Sequence, residues 1–209
     1  LGAVSISHNQ KISKEELALI TQVSPDANID FILKEYQSLP LHVKSTAGAY
    51  KLLSNILSSH RSCVDVDALY EMYLSLKHYG PSPDGAIYAI LVDQLCQRDL
   101  ELVRHHGISY DKDYFELALQ VVCDGFYSRH LFNSSGPFNQ LFRCMIPRGC
   151  IDKAIYVLSI MESCIGSVKD AESFSLLIQI FSSDTVPTFP GQSLEDRQRH
   201  CLYACIQIF

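Results

Sequence analysis

Apolar positions along this chain recur every three to four residues, the period of a helix that buries one side. Tyr50, Leu53, Ile56 and Leu57 share one such face, and Val64, Ala68, Met72, Tyr73 and Leu76 make the next. Ser13 with Glu16 forms a capping box that opens a short helix through Thr21. A second helix over 29–39 is stopped by Pro40. Gly80-Pro81-Ser82-Pro83 is a strong break. Beyond it the pattern predicts helices over 88–95, 113–130, 138–146, 152–163, 173–181 and 193–209, with Gly125 a weak point in the long one. Ser193, with Asp196 three residues on, is a candidate cap for the last. Tyr88 to Val92 has strand-like composition, but it has no hairpin partner and sits in a helical frame, so it is read as helix.

These helices repeat. Gly80, Asp84 and Tyr88 are spaced four and four apart, as are Gly107, Asp111 and Phe115, and Gly166, Asp170 and Phe174. The glycine suits a left-handed helix end. The aspartate stands where a carboxylate caps the next helix. The aromatic then falls at the end of the first turn. An overlapping pattern pairs an aromatic with a leucine at i, i+3: Tyr50 with Leu53, Tyr88 with Leu91, Phe138 with Leu141 and Phe174 with Leu177. The aromatics recur at intervals of 38, 50 and 36 residues, and Phe115 splits the longest into 27 and 23. An array of helix pairs with irregular members accounts for that spacing.

Composition narrows the partners. At 209 residues and 47% hydrophobic, the chain has ample material for a packed core. The net charge of −6 argues against a general nucleic-acid binder, whose affinity rests on neutralised phosphates. The longest clean apolar run, Ala86 to Val92, is far short of the roughly 20 residues a bilayer span requires, so no membrane span is expected. Eight cysteines include no CxxC pair, and several sit in apolar helical runs, which predicts free thiols in a reducing interior. The chain starts at Leu1 and ends in an apolar run, and both ends read as cut from something longer. No targeting segment is visible.

The stretch Ser135 to Asp170 resembles a pentatricopeptide repeat (PPR). Phe138, Gly149, Ala154 and Met161 stand at that family's spacing of aromatic, hinge glycine, alanine and methionine, and Gly166 with Asp170 closes the unit with one residue inserted. Residues 47–84 are a weaker copy, with Arg61 in place of the hinge glycine. Residues 85–111 keep Tyr88, Leu91, Gly107 and Asp111 but lack most of a second helix, with Asp99 at the hinge position. Residues 112–134 are degenerate, and 171–182 begin another copy. Residues 1–46 read as N-terminal helices of the array or a cap, and 183–209 as a loop and a further helix. The tetratricopeptide repeat is the nearest rival, and its signature tryptophan is missing here.

The resemblance implies an all-α superhelix, a solenoid of antiparallel helix pairs, acting without cofactor or catalysis on transcripts in mitochondria. It implies two kinds of partner: single-stranded RNA and the protein subunits of a ribonucleoprotein complex. A scaffold without base readout, or a repeat domain attached to an RNA-processing nuclease, are the alternatives. In the family, bases meet the residue after the aromatic and the last residue of the unit. The candidate RNA-binding residues carried over are Asn139, Asp170, Ser175, Lys51 and Asp84. The Asn139/Asp170 pair is the one standard combination, similar to those that prefer uracil, since an amide can meet a pyrimidine edge while the carboxylate holds it. Lys51/Asp84 and Ala89/Asp111 fit no such code, and Asp84 and Asp111 read equally well as helix caps.

No phosphate-binding, nucleophile-elbow or HExxH motif is present. His105-His106 are adjacent and so do not share a helix face. Cys201 and Cys205 do share one, and read as buried thiols. No metal site is expected.

Overall fold

A computed structural model of the chain describes residues 65–79, 83–108, 111–128, 134–164 and 169–183, together with Ser38, Pro40, Phe132 and scattered positions from 193 to 203. The helices expected before residue 65, and Tyr50, Lys51, Cys63, Gly80, Gly166, Cys201 and Cys205, lie outside the described residues. Every element among the described residues is a helix. The chain divides into two compact units, Leu1–Ser82 and Pro83–Phe209, at the Gly-Pro-Ser-Pro break.

In the first unit, α1 (Val66–Tyr79) opens on Asp65, whose carboxylate accepts from the backbone N–H of Asp67 and Ala68 at 3.0 and 3.2 Å. Lys77 and His78 occupy its last turn, where positive charge suits the helix dipole. Ala68, Met72, Tyr73 and Leu76 of the stripe that the apolar spacing predicts are buried, with Leu69 beside them, while Val64 lies outside the described residues.

The second unit holds α2 (Gly85–His106), α3 (Tyr114–Tyr127), α4 (Gly136–Met145), a 3₁₀ turn (Ile146–Arg148), α5 (Ile151–Ser163) and α6 (Ala171–Ser182). Asp84 caps α2, accepting from Ile87 N–H at 3.0 Å. Gly107, at φ +74°, ends it. The helix is longer than the 88–95 expected from sequence and runs without a hinge through Asp99, because no Gly or Pro interrupts it before Gly107. Its neighbour is then α3, so residue 111 falls between two packed helices. Asp113, not Asp111, caps α3, accepting from Glu116 N–H at 3.1 Å.

Pro137 starts α4 and Pro147 ends it through the 3₁₀ turn. Gly149, left-handed at φ +59°, reverses the chain into α5, as the hinge position requires. Toward the C-terminus, Ser193 accepts from Asp196 N–H at 3.1 Å, the cap that the sequence suggests there.

α2, α4 and α6 pack in a row; α3 lodges against α2 and α4, and α5 against α4 and α6. The repeat aromatics hold this arrangement. Tyr88 and Phe138 are fully buried, as are Ala154 and Met161 on α5. Phe132 lies between the two aromatics, with ring centroids 6.5 Å from Tyr88 and 5.2 Å from Phe138, both edge to face. Phe174 differs: it is half-buried, at the edge of the α6 stripe formed by Leu176, Leu177, Ile180 and Phe181, with the Lys169 ammonium 5.8 Å from its ring centroid.

Gly125 does not break α3. A Cβ there would lie 3.0 Å from the Phe132 ring and 3.2 Å from Tyr88, so the glycine permits the close approach of α3 to the aromatic core. Gly125→Ala should therefore destabilise the protein by about 1–3 kcal/mol through overpacking, although alanine is the better helix former. Urea denaturation measures this, and a stabilised variant would contradict it.

Candidate functional site

The carried-over pair meets at the start of α6. Asp170 is the N-cap of that helix and Ser173 its N3 residue, and together they form a reciprocal capping box. Ser173 N–H donates to Asp170 Oδ1 at 2.8 Å. From the start of α4, Ser135 Oγ donates to Asp170 Oδ2 at 2.5 Å. Asn139, one turn further along α4, directs its Nδ2 to Asp170 Oδ1 at 3.3 Å and to Glu172 Oε2 at 3.3 Å. Its Oδ1 accepts from Ser173 Oγ at 2.7 Å. Arg143, a turn beyond, forms an ion pair with Glu172.

Asn139 is 2% exposed. Both of its N–H directions and its carbonyl are engaged by α6, so the amide edge that would meet a base fastens α4 to α6. A base would have to displace these partners to reach it. The juxtaposition with Asp170 is the one the resemblance implies; the enclosure could not be read from spacing. Ser173 and Glu172 were not singled out in the sequence, although Asp170-x-x-Ser173 is a legible capping signal.

The other candidates are dispersed. Asp84 is occupied as the α2 cap. Ser175 is exposed on α6 and accepts from its own-helix neighbour Gln179. Lys51 lies outside the described residues. Along the row, Asp93 on α2 accepts from Gln140 on α4 at 2.8 Å. Among the described residues, the exposed or half-buried bridges between α2, α4 and α6 thus include the carboxylates of Asp93, Asp170 and Glu172 and the guanidinium of Arg143. That balance repels a phosphate backbone.

Asp170 is held well below the usual carboxylate range, first by the Ser135 hydroxyl and then by the Ser173 backbone N–H, against the opposing effect of burial. A depressed folded value contributes stability that is complete above the unfolded value, about 3.9, and is lost as pH falls below it. The urea midpoint of the wild type should therefore exceed that of Asp170→Asn at pH 7, and the gap should narrow below pH 4. A gap independent of pH would assign the difference to geometry alone.

A second polar cluster, which spacing did not reveal, lies in the core. Asp99 on α2 accepts from Arg148 Nη2 at 2.9 Å and from Phe115 N–H at 3.2 Å, with side chains 0% and 8% exposed across the ion pair. Arg148 also donates to the Cys144 carbonyl at 2.8 Å and lies 5.1 Å from the Phe115 ring centroid. The carboxylate at the expected hinge position thus ties α2 to the 3₁₀ turn and to the start of α3.

Cys96, Cys123, Cys144, Cys150 and Cys164 are free thiols. Burial pushes the Cys96 thiol well above its ordinary range, which makes it a poor nucleophile. Among the described residues, no group of His, Cys, Asp and Glu is placed to hold a metal ion, and no helix is long and apolar enough to cross a membrane. No protein-family model, curated protein or solved structure matches this chain.

Proposed function

We propose that this chain is a segment of a non-catalytic helical-repeat protein, similar to pentatricopeptide-repeat proteins, that serves mitochondrial RNA metabolism chiefly by docking in a ribonucleoprotein complex. The repeated aromatic and capping positions support a solenoid of helix pairs, and the row of α2, α4 and α6 backed by α3 and α5 is consistent with it. One observation carries the preference for docking over base reading: the Asn139 amide is buried and its hydrogen bonds are spent on α6. The acid-rich bridging residues point the same way. Co-sedimentation of the tagged protein with an organellar ribonucleoprotein particle tests this reading, and sedimentation as a free protein in intact extract would remove it.

The second reading is single-stranded RNA bound at the unit 135–170, and the contact between Asn139 and Asp170 favours it. The docking reading predicts that wild type and Asn139→Ala, both shown folded by circular dichroism, bind a uridine-rich oligonucleotide equally at low salt. A loss of about 1–3 kcal/mol concentrated on pyrimidine targets would establish base reading instead.

A further inference from the structure

We propose that the outward face shared by α3 and α5 docks an amphipathic helix of a protein partner, one whose apolar stripe is flanked by Lys or Arg. This rests on the docking reading and names the surface and the partner's chemistry.

Three large side chains project here. Tyr127 on α3 is 72% exposed, and Ile155 and Tyr156 on α5 are 48% and 41% exposed. Singly exposed apolar groups are ordinary on any surface, but these adjoin. Tyr156 reaches across to α3, where its hydroxyl lies 3.6 Å from Cys123 Sγ, one turn before Tyr127. Tyr156 therefore bridges the two helices, with Ile155 beside it and Tyr127 one turn along α3 from the bridge. Tyrosine suits such a position because it offers a rigid apolar ring with a polar tip, and it is enriched where protein surfaces meet.

Charge selects the occupant. Glu116 and Asp124 on α3 and Asp152 and Glu162 on α5 are the carboxylates of these two helices' flanks, and Glu116 is joined across them to Lys153. Lys153 pairs with Glu116 and Lys169 with Glu162, so these charges offset and Asp124 and Asp152 supply the net negative charge. Asp124 lies one turn before Tyr127, and Asp152 one turn before Ile155 and Tyr156. The patch is thus apolar with net negative flanks at Asp124 and Asp152. A phosphate backbone is repelled there, whereas a helix with anchors at i, i+3 and i+4 and basic flanks is matched in both respects.

The test uses two fluorescent 18-residue helical peptides with one leucine stripe, flanked in one by lysine and in the other by glutamate, and reads anisotropy with the whole chain. The lysine peptide should bind at least tenfold more tightly than the glutamate peptide. Tyr127→Ala, at a mostly exposed position, should weaken it about tenfold, and Asp152→Asn should weaken it while Glu101→Gln, on α2, does not. Equal binding of the two peptides, unchanged binding by Tyr127→Ala, or displacement by uridine-rich RNA would overturn the proposal. Co-sedimentation separates the two readings. A Tyr127→Ala protein that still travels with the particle leaves docking intact and removes this face. A wild type that travels free removes docking, while the peptide measurement still decides the face.

Discussion

Asp99→Ala should lower the free energy of unfolding by roughly 3–5 kcal/mol, the usual cost of leaving one charge of a buried pair without its partner. The Arg148 guanidinium would remain 8% exposed in the core, with Phe115 N–H also losing its acceptor. The double variant Asp99→Leu/Arg148→Met should recover much of the loss, since a buried ion pair and an apolar pair of similar volume are often close in stability. Part of the loss should persist, because Arg148 also holds the Cys144 carbonyl. Chemical denaturation of wild type, single and double variants checks this. A single variant within about 0.5 kcal/mol of wild type, the range of surface substitutions, would show that water reaches the site and that the pair is not a fastener.

Phe138→Ala should cost about 3–5 kcal/mol as a large-to-small change in a close-packed core. The ring is fully buried and contacts Phe132, which in turn meets Tyr88, so its removal opens a cavity between α2 and α4 that rigid neighbours cannot refill. Phe174→Ala makes the informative comparison. It occupies the same register of the repeat, but its ring is half-buried against Lys169 and should cost markedly less. Equal losses in urea denaturation would mean that register alone sets the energetics.

The contrast between these two phenylalanines shows how much was legible. Periodicity placed both on the first turn of a helix, because the 3.6-residue repeat fixes which side of a helix is apolar. It also located the Asp84 and Asp170 caps, and the family resemblance located the Gly149 reversal, since these are local demands of backbone geometry and hydrogen bonding. It did not give the length of α2. The family register put a hinge at Asp99, and local propensity offered nothing to break the helix there. The carboxylate is tolerated because Arg148, 49 positions away, meets it in the core. No local pattern contains that pairing.

The candidate site divides the same way. That Asn139 and Asp170 belong to one unit followed from spacing, and the carboxylate does lie within 3.3 Å of the amide. That Ser173 and Glu172 close around the amide did not, because burial is a property of how α6 docks on α4. Sequence by itself determined where the described helices lie, the Asp84 and Asp170 caps and the apolar stripes, all of which depend on residues a few positions apart. Tertiary structure alone decided which polar groups were consumed in packing and which apolar ones were left outside. Asn139 went inward and Tyr127 outward because the desolvation cost of an amide vanishes when neighbours supply its hydrogen bonds, whereas a ring stays exposed when no neighbouring element covers it.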